Sequence, residues 1–293
     1  MGLFEFLGMG AAIADTPDAR APKLARPEAF FQGTALDLLR AALAGDEAGA
    51  RRAVAQGANP NAHGPAASSK NVPQLTLIRY ATGVRNPRAM AILLAVGADP
   101  LFKPRDGDGD AFLFAVVRHD AQMLDALLQL YPLARIPPKS QSELAFDALS
   151  FKARDCLQIL FDHGLPLDVR DPNGYSLFMR ALNQEDLDTA EWLLAEKQVP
   201  IQDVMSRSGG VTPANMVQRG LTESFKPGSP AYQRYDKLQR IMEQRGIVFP
   251  VESSAAWRAR MKASAASGPA GGGLSCHEDT QTRRARLRRQ CAP

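Results

Sequence analysis

The chain has little of what chemistry usually requires. Its 293 residues include three Cys, four His and two Trp, and only 7% are aromatic. Three Cys in a chain this long make no disulfide framework. Cys156 lies among Leu157, Ile159 and Leu160 and reads as a buried free thiol; Cys276, Cys291 and His277 fit no zinc-ligand spacing. No apolar run approaches the ~20 residues of a membrane-spanning helix. There is no G-x-S-x-G, no Walker loop and no dinucleotide fingerprint. His63, His119, His163 and His277 are not spaced from a Cys, Asp or Glu as a metal site or triad requires, so all four read as structural. Asp106-Gly107-Asp108-Gly109-Asp110 looks like a calcium loop, but its sixth and twelfth positions hold Ala111 and Val117 instead of Gly and Glu. It reads better as a turn with Asp110 capping the next helix. No catalysis, cofactor or metal is expected.

Charge is unevenly spread. The net of +4 divides into about −1 over residues 1–250 and +5 over residues 251–293, where eight Arg and Lys face three Asp and Glu. Residues 251–293 are therefore expected to form a basic, disordered tail, too poor in apolar side chains to offset the entropy of ordering. Its Arg283, Arg284, Arg286, Arg288 and Arg289 could touch nucleic acid or acidic lipid, but a solvated terminus without a specific nucleic-acid role is expected. At the other end, residues 1–33 form a separate segment. Met1–Ala14 is mostly apolar, is interrupted by Glu5 and has no Lys or Arg before Arg20. It reads as a poor signal or as a short amphipathic helix, with Leu3, Phe4, Phe6 and Leu7 resting on the domain that begins at residue 34.

What the chain does contain is a repeated template. Leu36–Asn61, Thr76–Leu101, Asp110–Pro132, Glu143–Asp168 and Ser176–Val199 share one pattern. Each carries two short apolar stretches at helical spacing with a polar turn between them, such as Gly45-Asp46 or Arg85-Asn86-Pro87. Three end on a Gly (Gly57, Gly97, Gly164), suited to the left-handed residue that closes a helix. Ala41-Ala42, Ala81, Ala115, Ala148 and Ala181 recur at one position, where a small side chain lets neighbouring helices approach. Gly57 and Gly97 are 40 residues apart, and Gly97 and Gly164 are 67 apart, about two units of 33.

Over residues 34–250 the chain resembles the ankyrin-repeat family, whose period is about 33 residues with a turn and two helices per unit. Thr76-Leu77-Ile78-Arg79 and Ser176-Leu177-Phe178-Met179 stand where the family has T-P-L-H, and Thr212-Pro213-Ala214-Asn215 opens an irregular sixth unit with an insertion over Gly220–Pro230. The resemblance implies an all-α solenoid of five to six stacked helix pairs with finger loops, and a function in binding another protein. A single repeat cannot bury its own apolar face, so stacking makes one continuous core.

Rigid scaffolds carry function on their loops. The fingers His63–Gln74, Lys103–Gly109, Leu133–Gln141, Arg170–Gly174 and Gln202–Gly210 offer Arg105, Asp106, Asp108, Arg170 and Asn173 as partner-binding candidates. The first helices add Arg40, Arg79, Tyr80, Asp147 and Arg180, expected to be exposed; Arg40, Asp147 and Arg180 recur at one repeat position.

A narrower resemblance lies in residues 30–100. Phe30-Phe31-Gln32-Gly33, Gly57-Ala58-Asn59-Pro60-Asn61 and Asn86-Pro87-Arg88-Ala89-Met90 are similar to bacterial ankyrin-repeat immunity proteins paired with type VI secretion lipase effectors. That resemblance implies a protein partner, a lipase effector, neutralised in the periplasm. The alternative is a general ankyrin scaffold or translocated ankyrin protein with an unrelated protein partner. As it stands the sequence suggests a cytoplasmic protein, or a periplasmic one if the start is misplaced or Met1–Ala14 acts as a signal. A monomer is expected when free.

Overall fold

The computed structural model describes residues 24, 26–64, 74–105, 108–202 and 210–266. Twelve helices form six successive pairs, each packed on the next. The pairs are α1 (Gly33–Leu43) with α2 (Glu47–Ala55), α3 (Leu77–Gly83) with α4 (Pro87–Ala95), and α5 (Ala111–Val117) with α6 (Ala121–Leu130). They continue with α7 (Pro138–Ser150) and α8 (Arg154–Asp162), α9 (Leu177–Asn183) and α10 (Leu187–Ala195), and α11 (Pro213–Arg219) and α12 (Pro230–Gln244). A five-residue π-helical turn, Gly220–Ser224, follows α11 where the sequence inserts extra residues.

The same chemistry starts and stops each pair. Thr76, Asp110, Ser176 and Thr212 cap first helices, each side chain accepting from the backbone N–H three residues on. Asp46, Asn86, Asp120 and Asp186 do so for second helices. The turn between paired helices places one residue in the left-handed region: Gly45 (φ 75°), Arg85 (58°), His119 (53°), Lys152 (56°) and Glu185 (54°). The carbonyls of Ala41, Ala81, Ala115, Ala148 and Ala181 each accept the N–H five residues on, which closes that turn. Ala81, Ala115, Ala148 and Ala181 are wholly buried, so their size sets how closely the pairs stack. Second helices end on left-handed Gly57, Gly97, Gly164 and Gly246.

The core runs unbroken from Phe31 to Met242. Leu38, Met90, Leu93, Leu127, Leu157 and Leu160 have essentially no exposed surface; burying a side chain of this size contributes about 1.5–3 kcal/mol. Cys156 is a buried free thiol. Polar ties along the second helices link successive pairs: Arg88 donates to the Gly45 carbonyl (2.9 Å), His163 Nε2 meets Asp125 (2.7 Å) and Arg234 meets Asp188 (2.6 Å).

From Glu252 on, the described residues belong to a second unit, separate from the solenoid. The expectation of a disordered tail is corrected in part: Ser254–Ala266 is a helix, α13, and Arg260 within it pairs with Glu252 at 2.9 Å. Charge neutralisation and a run of Ala with good helix propensity account for it. The Arg cluster at 283–289 and the segment Met1–Ala14 lie outside the described residues.

Candidate partner-binding surface

Three clusters gather the charged residues of the first helices and fingers. The first surrounds α3. Arg79 was expected to be exposed, but only 3% of its surface is. Its Nη1 donates to the Gln74 carbonyl (2.7 Å), and its guanidinium lies 5.0 Å from the centre of the Phe114 ring. Asp108 and Asp110, from the next finger, sit close enough to oppose the loss of its charge, while burial favours that loss. Arg79 is thus a bracket holding two fingers to α3 and α5. Its Nε, like Gln74 Nε2, is buried without a partner among the described residues. His63 Nδ1 donates to Gln74 Oε1 (3.0 Å) and its ring stacks on Phe102.

Tyr80 is corrected in the same way. It is 3% exposed, with Phe30 and Phe31 edge-on to its ring at 5.9 and 6.0 Å. Periodicity places Arg79 and Tyr80 on the outward side of α3, but the segment before α1 lies over Tyr80, and Phe114 of α5 lies against Arg79. Arg40 remains exposed and pairs with Glu28 of the same segment at 2.7 Å.

The second cluster is the finger over residues 102–110. Asp108 is nearly buried and pairs with Arg105 (3.3 Å); Asp110 pairs loosely with Lys103 (3.9 Å). Burial raises the Asp110 carboxyl above the usual range, against the pull of backbone N–H groups, Lys103 and Arg79. Asp147 on α7, half-buried, is also pushed up, first by burial and then by the charges of Glu143 and Asp110. Asp106 lies outside the described residues.

The third cluster unites α9 with the finger before it. Asp171 is buried and accepts from the backbone N–H groups of Asn173 and Tyr175, both at 2.9 Å, and from Arg180. The Arg180 guanidinium also lies over the Tyr175 ring, 5.5 Å from its centre. The Arg170 carbonyl accepts from Ser142 Oγ of α7 (2.8 Å). Asn173 is exposed and Arg170 half-buried at the rim. Asp171 was not among the sequence candidates. Its signal was local: an Asp two residues before Asn173 and nine before Arg180 matches a side chain closing its own turn.

These clusters hold ion pairs and backbone brackets, and nothing among them sets a nucleophile beside a base. Among the described residues no group of His, Cys, Asp and Glu is arranged to hold a metal ion, and no helix is long and apolar enough to cross a membrane. On the second-helix side, between α8 and α10, lies an open cleft of about 590 Å³ lined by Lys152, Arg154, Asp186, Glu191 and Trp192.

No protein-family model and no curated protein matches the chain. Solved structures do. The ankyrin repeat domain of Bcl-3, described as a unique member of the IkappaB protein family, superposes with a TM-score of 0.54 at 16% identity, over 75% of this chain and 90% of that one. The human ASB11 ankyrin repeat domain aligns at 18% identity over 69% of this chain and 81% of that one, with a TM-score of 0.43. The Bcl-3 superposition and the six helix pairs show the fold: an all-α ankyrin-repeat solenoid.

Proposed function

We propose that this solenoid binds another protein through its fingers and the open part of its first-helix face, and that it acts by occupancy without turnover. One observation carries the reading: Asp171 locks Arg180, Asn173 and Tyr175 into a preformed rim whose outer groups face solvent. A surface ordered before binding loses less conformational entropy on association, and Arg and Tyr are the side chains that most often dominate interface energies. Asp147, Arg170, Asn173 and Arg180 are the residues proposed to meet the partner, with Arg105 and Arg40 at the margin. Arg79, Tyr80 and Asp108 support the surface from beneath.

The test begins with co-purification from the native host and identification of the partner by mass spectrometry. Calorimetry on folded variants then compares faces. Arg170→Glu and Asn173→Arg should weaken binding at least tenfold, whereas Arg51→Glu on the second-helix side should change it less than twofold. Equal losses on both faces would reject the reading.

The narrower form of the proposal makes the partner a lipase effector and this chain its immunity protein. The support is the resemblance over residues 30–100. An equimolar addition should then silence the lipase, with a sharp break at one to one; substoichiometric protection would point to catalysis instead. If no lipase is inhibited and an unrelated protein co-purifies, the general scaffold reading replaces it. A periplasmic location would accompany the immunity role, and a cytoplasmic one the scaffold role.

A further inference from the structure

The segment formed by Leu24 and residues 26–31 lies in a track on the first-helix face, and two glycines make room for it. A Cβ on Gly64 would sit 1.8 Å from the Phe30 carbonyl oxygen, a backbone atom that cannot step aside alone. A Cβ on Gly83 would sit 2.4 Å from Leu24 Cδ1 and 3.2 Å from Phe114 Cε1. Gly83 belongs to α3, where glycine is a poor helix former, and its φ is not in the left-handed region. Its advantage at that position is the space it leaves. Around these two floors the segment packs through its side chains: Leu24 sits at the Gly83–Phe114 corner, Glu28 pairs with Arg40, and Phe30 and Phe31 stand edge-on to Tyr80. Leu24 and Phe30 are only half-buried and Glu28 is exposed, Phe31 alone of the four being enclosed in the core, and the regular structure of these residues is a single 3-10 turn, Pro27–Ala29.

We propose that this track is a peptide-binding site which the chain fills with its own residues, and that a protein partner enters it by displacing them. The partner's segment would carry the same chemistry at the same spacing: an aliphatic side chain, a carboxylate four positions later, and an aromatic pair two and three positions beyond that. The inference rests on the reading that the first-helix face takes a protein partner. It adds where the apolar contacts are made and why they are covered in the free chain. A cis segment at high effective concentration lowers the affinity of any competing segment in proportion to the fraction of time it occupies the site.

The test needs no partner. The probe is a fluorescent peptide of residues 22–33 of this sequence, titrated against the full chain and read by anisotropy. Leu24→Ser with Phe30→Ser, made in the full chain, should weaken the cis segment and raise peptide affinity at least tenfold over the unaltered protein. Adding Gly64→Ala should remove that binding, because the peptide backbone can no longer approach. Arg40→Glu in the same background should weaken the peptide, and a peptide carrying Glu28→Lys should recover the loss. The proposal is overturned if the double variant folds, by circular dichroism, and binds no better than the unaltered chain. It is equally overturned if the double variant fails to fold, since the segment is then part of the core and nothing could replace it. Peptide binding tests the track alone, while the finger variants above test the partner surface, so the two readings fail separately.

Discussion

The guanidinium of Arg79 lies over the ring of Phe114, 5.0 Å from its centre, and Arg118 approaches the same ring at 5.5 Å. The Arg79 contact joins α3 to α5, Arg118 approaches from the end of α5 itself, and the Arg79 Nη1 bond to the Gln74 carbonyl ties the preceding finger to α3. Burial draws the Arg79 pKa down, and the charges of Asp108 and Asp110 hold it up.

Arg79 should therefore matter to stability and not directly to recognition. Arg79→Ala should cost roughly 3 kcal/mol or more in urea unfolding, because it leaves Asp108 and Asp110 buried with less compensation. Arg79→Glu should fail to fold. A charge reversal that left the midpoint unchanged would show that the bracket contributes nothing.

The carboxyls of Asp110 and Asp147 give the solenoid a pH signature. Both are raised by burial, and the charge of Asp110 adds to the shift at Asp147. A carboxyl whose folded pKa exceeds its unfolded value binds its proton more tightly when folded. Its contribution to stability is present at low pH and is lost as pH rises through the folded pKa. Asp147→Asn should accordingly raise the melting temperature at pH 7, with the gain shrinking toward pH 4. The groups facing Asp147 are Glu143 and Asp110, which oppose its charge, and Lys103, which favours it. A gain that is the same at both pH values would exclude the carboxylate as its origin.

The inter-helix turns offer a gain from a smaller residue. Lys152 holds φ at 56° with an exposed side chain, a conformation that costs a non-glycine residue about 1–2 kcal/mol. Lys152→Gly should recover about 0.5–1 kcal/mol after the extra entropy of unfolded glycine is set against it. Gly97→Ala, at φ 99°, should lose about 1 kcal/mol or more. Thermal melts that move in the opposite directions would refute the turn assignment.

Cys156 should be silent until the solenoid opens. Burial pushes its thiol up to about 12, and its side chain is fully enclosed beside Leu157 and Leu160. In a Cys276→Ser, Cys291→Ser background, a thiol reagent at pH 8 should label the native chain at least a hundredfold more slowly than the urea-unfolded one, since reaction needs the thiolate and access to it. Comparable rates would place Cys156 at the surface. Leu160→Ala, one turn further along α8, should cost about 2–5 kcal/mol and speed the labelling.

Much of the scaffold was legible because its determinants are local. The recurrent alanines, the polar turns and the closing glycines each act within one helix pair, and the structure places Ala81, Ala115, Ala148 and Ala181 at equivalent, buried positions. Asp110 was read as a helix cap and is one. The candidate surface was less legible. Arg180 pairs with the finger before α9, but its partner there, Asp171, is hidden, and a buried acid has no sequence signature apart from the turn it closes.

The sequence by itself determined the period, the caps, the turn residues and the side of each helix on which a residue stands, because these depend on spacing and backbone preference over a few positions. Only the tertiary structure decided whether that side meets water. Arg79 and Tyr80 stand on the outward side of α3, yet Tyr80 is covered by Phe30 and Phe31, and Arg79 lies against Phe114 of α5 and the finger that ends at Gln74. Leu24 reaches Gly83 from fifty-nine positions away, and Phe30 reaches Gly64 from thirty-four. Such burial depends on which distant segment finds a complementary surface, and periodicity carries no record of that.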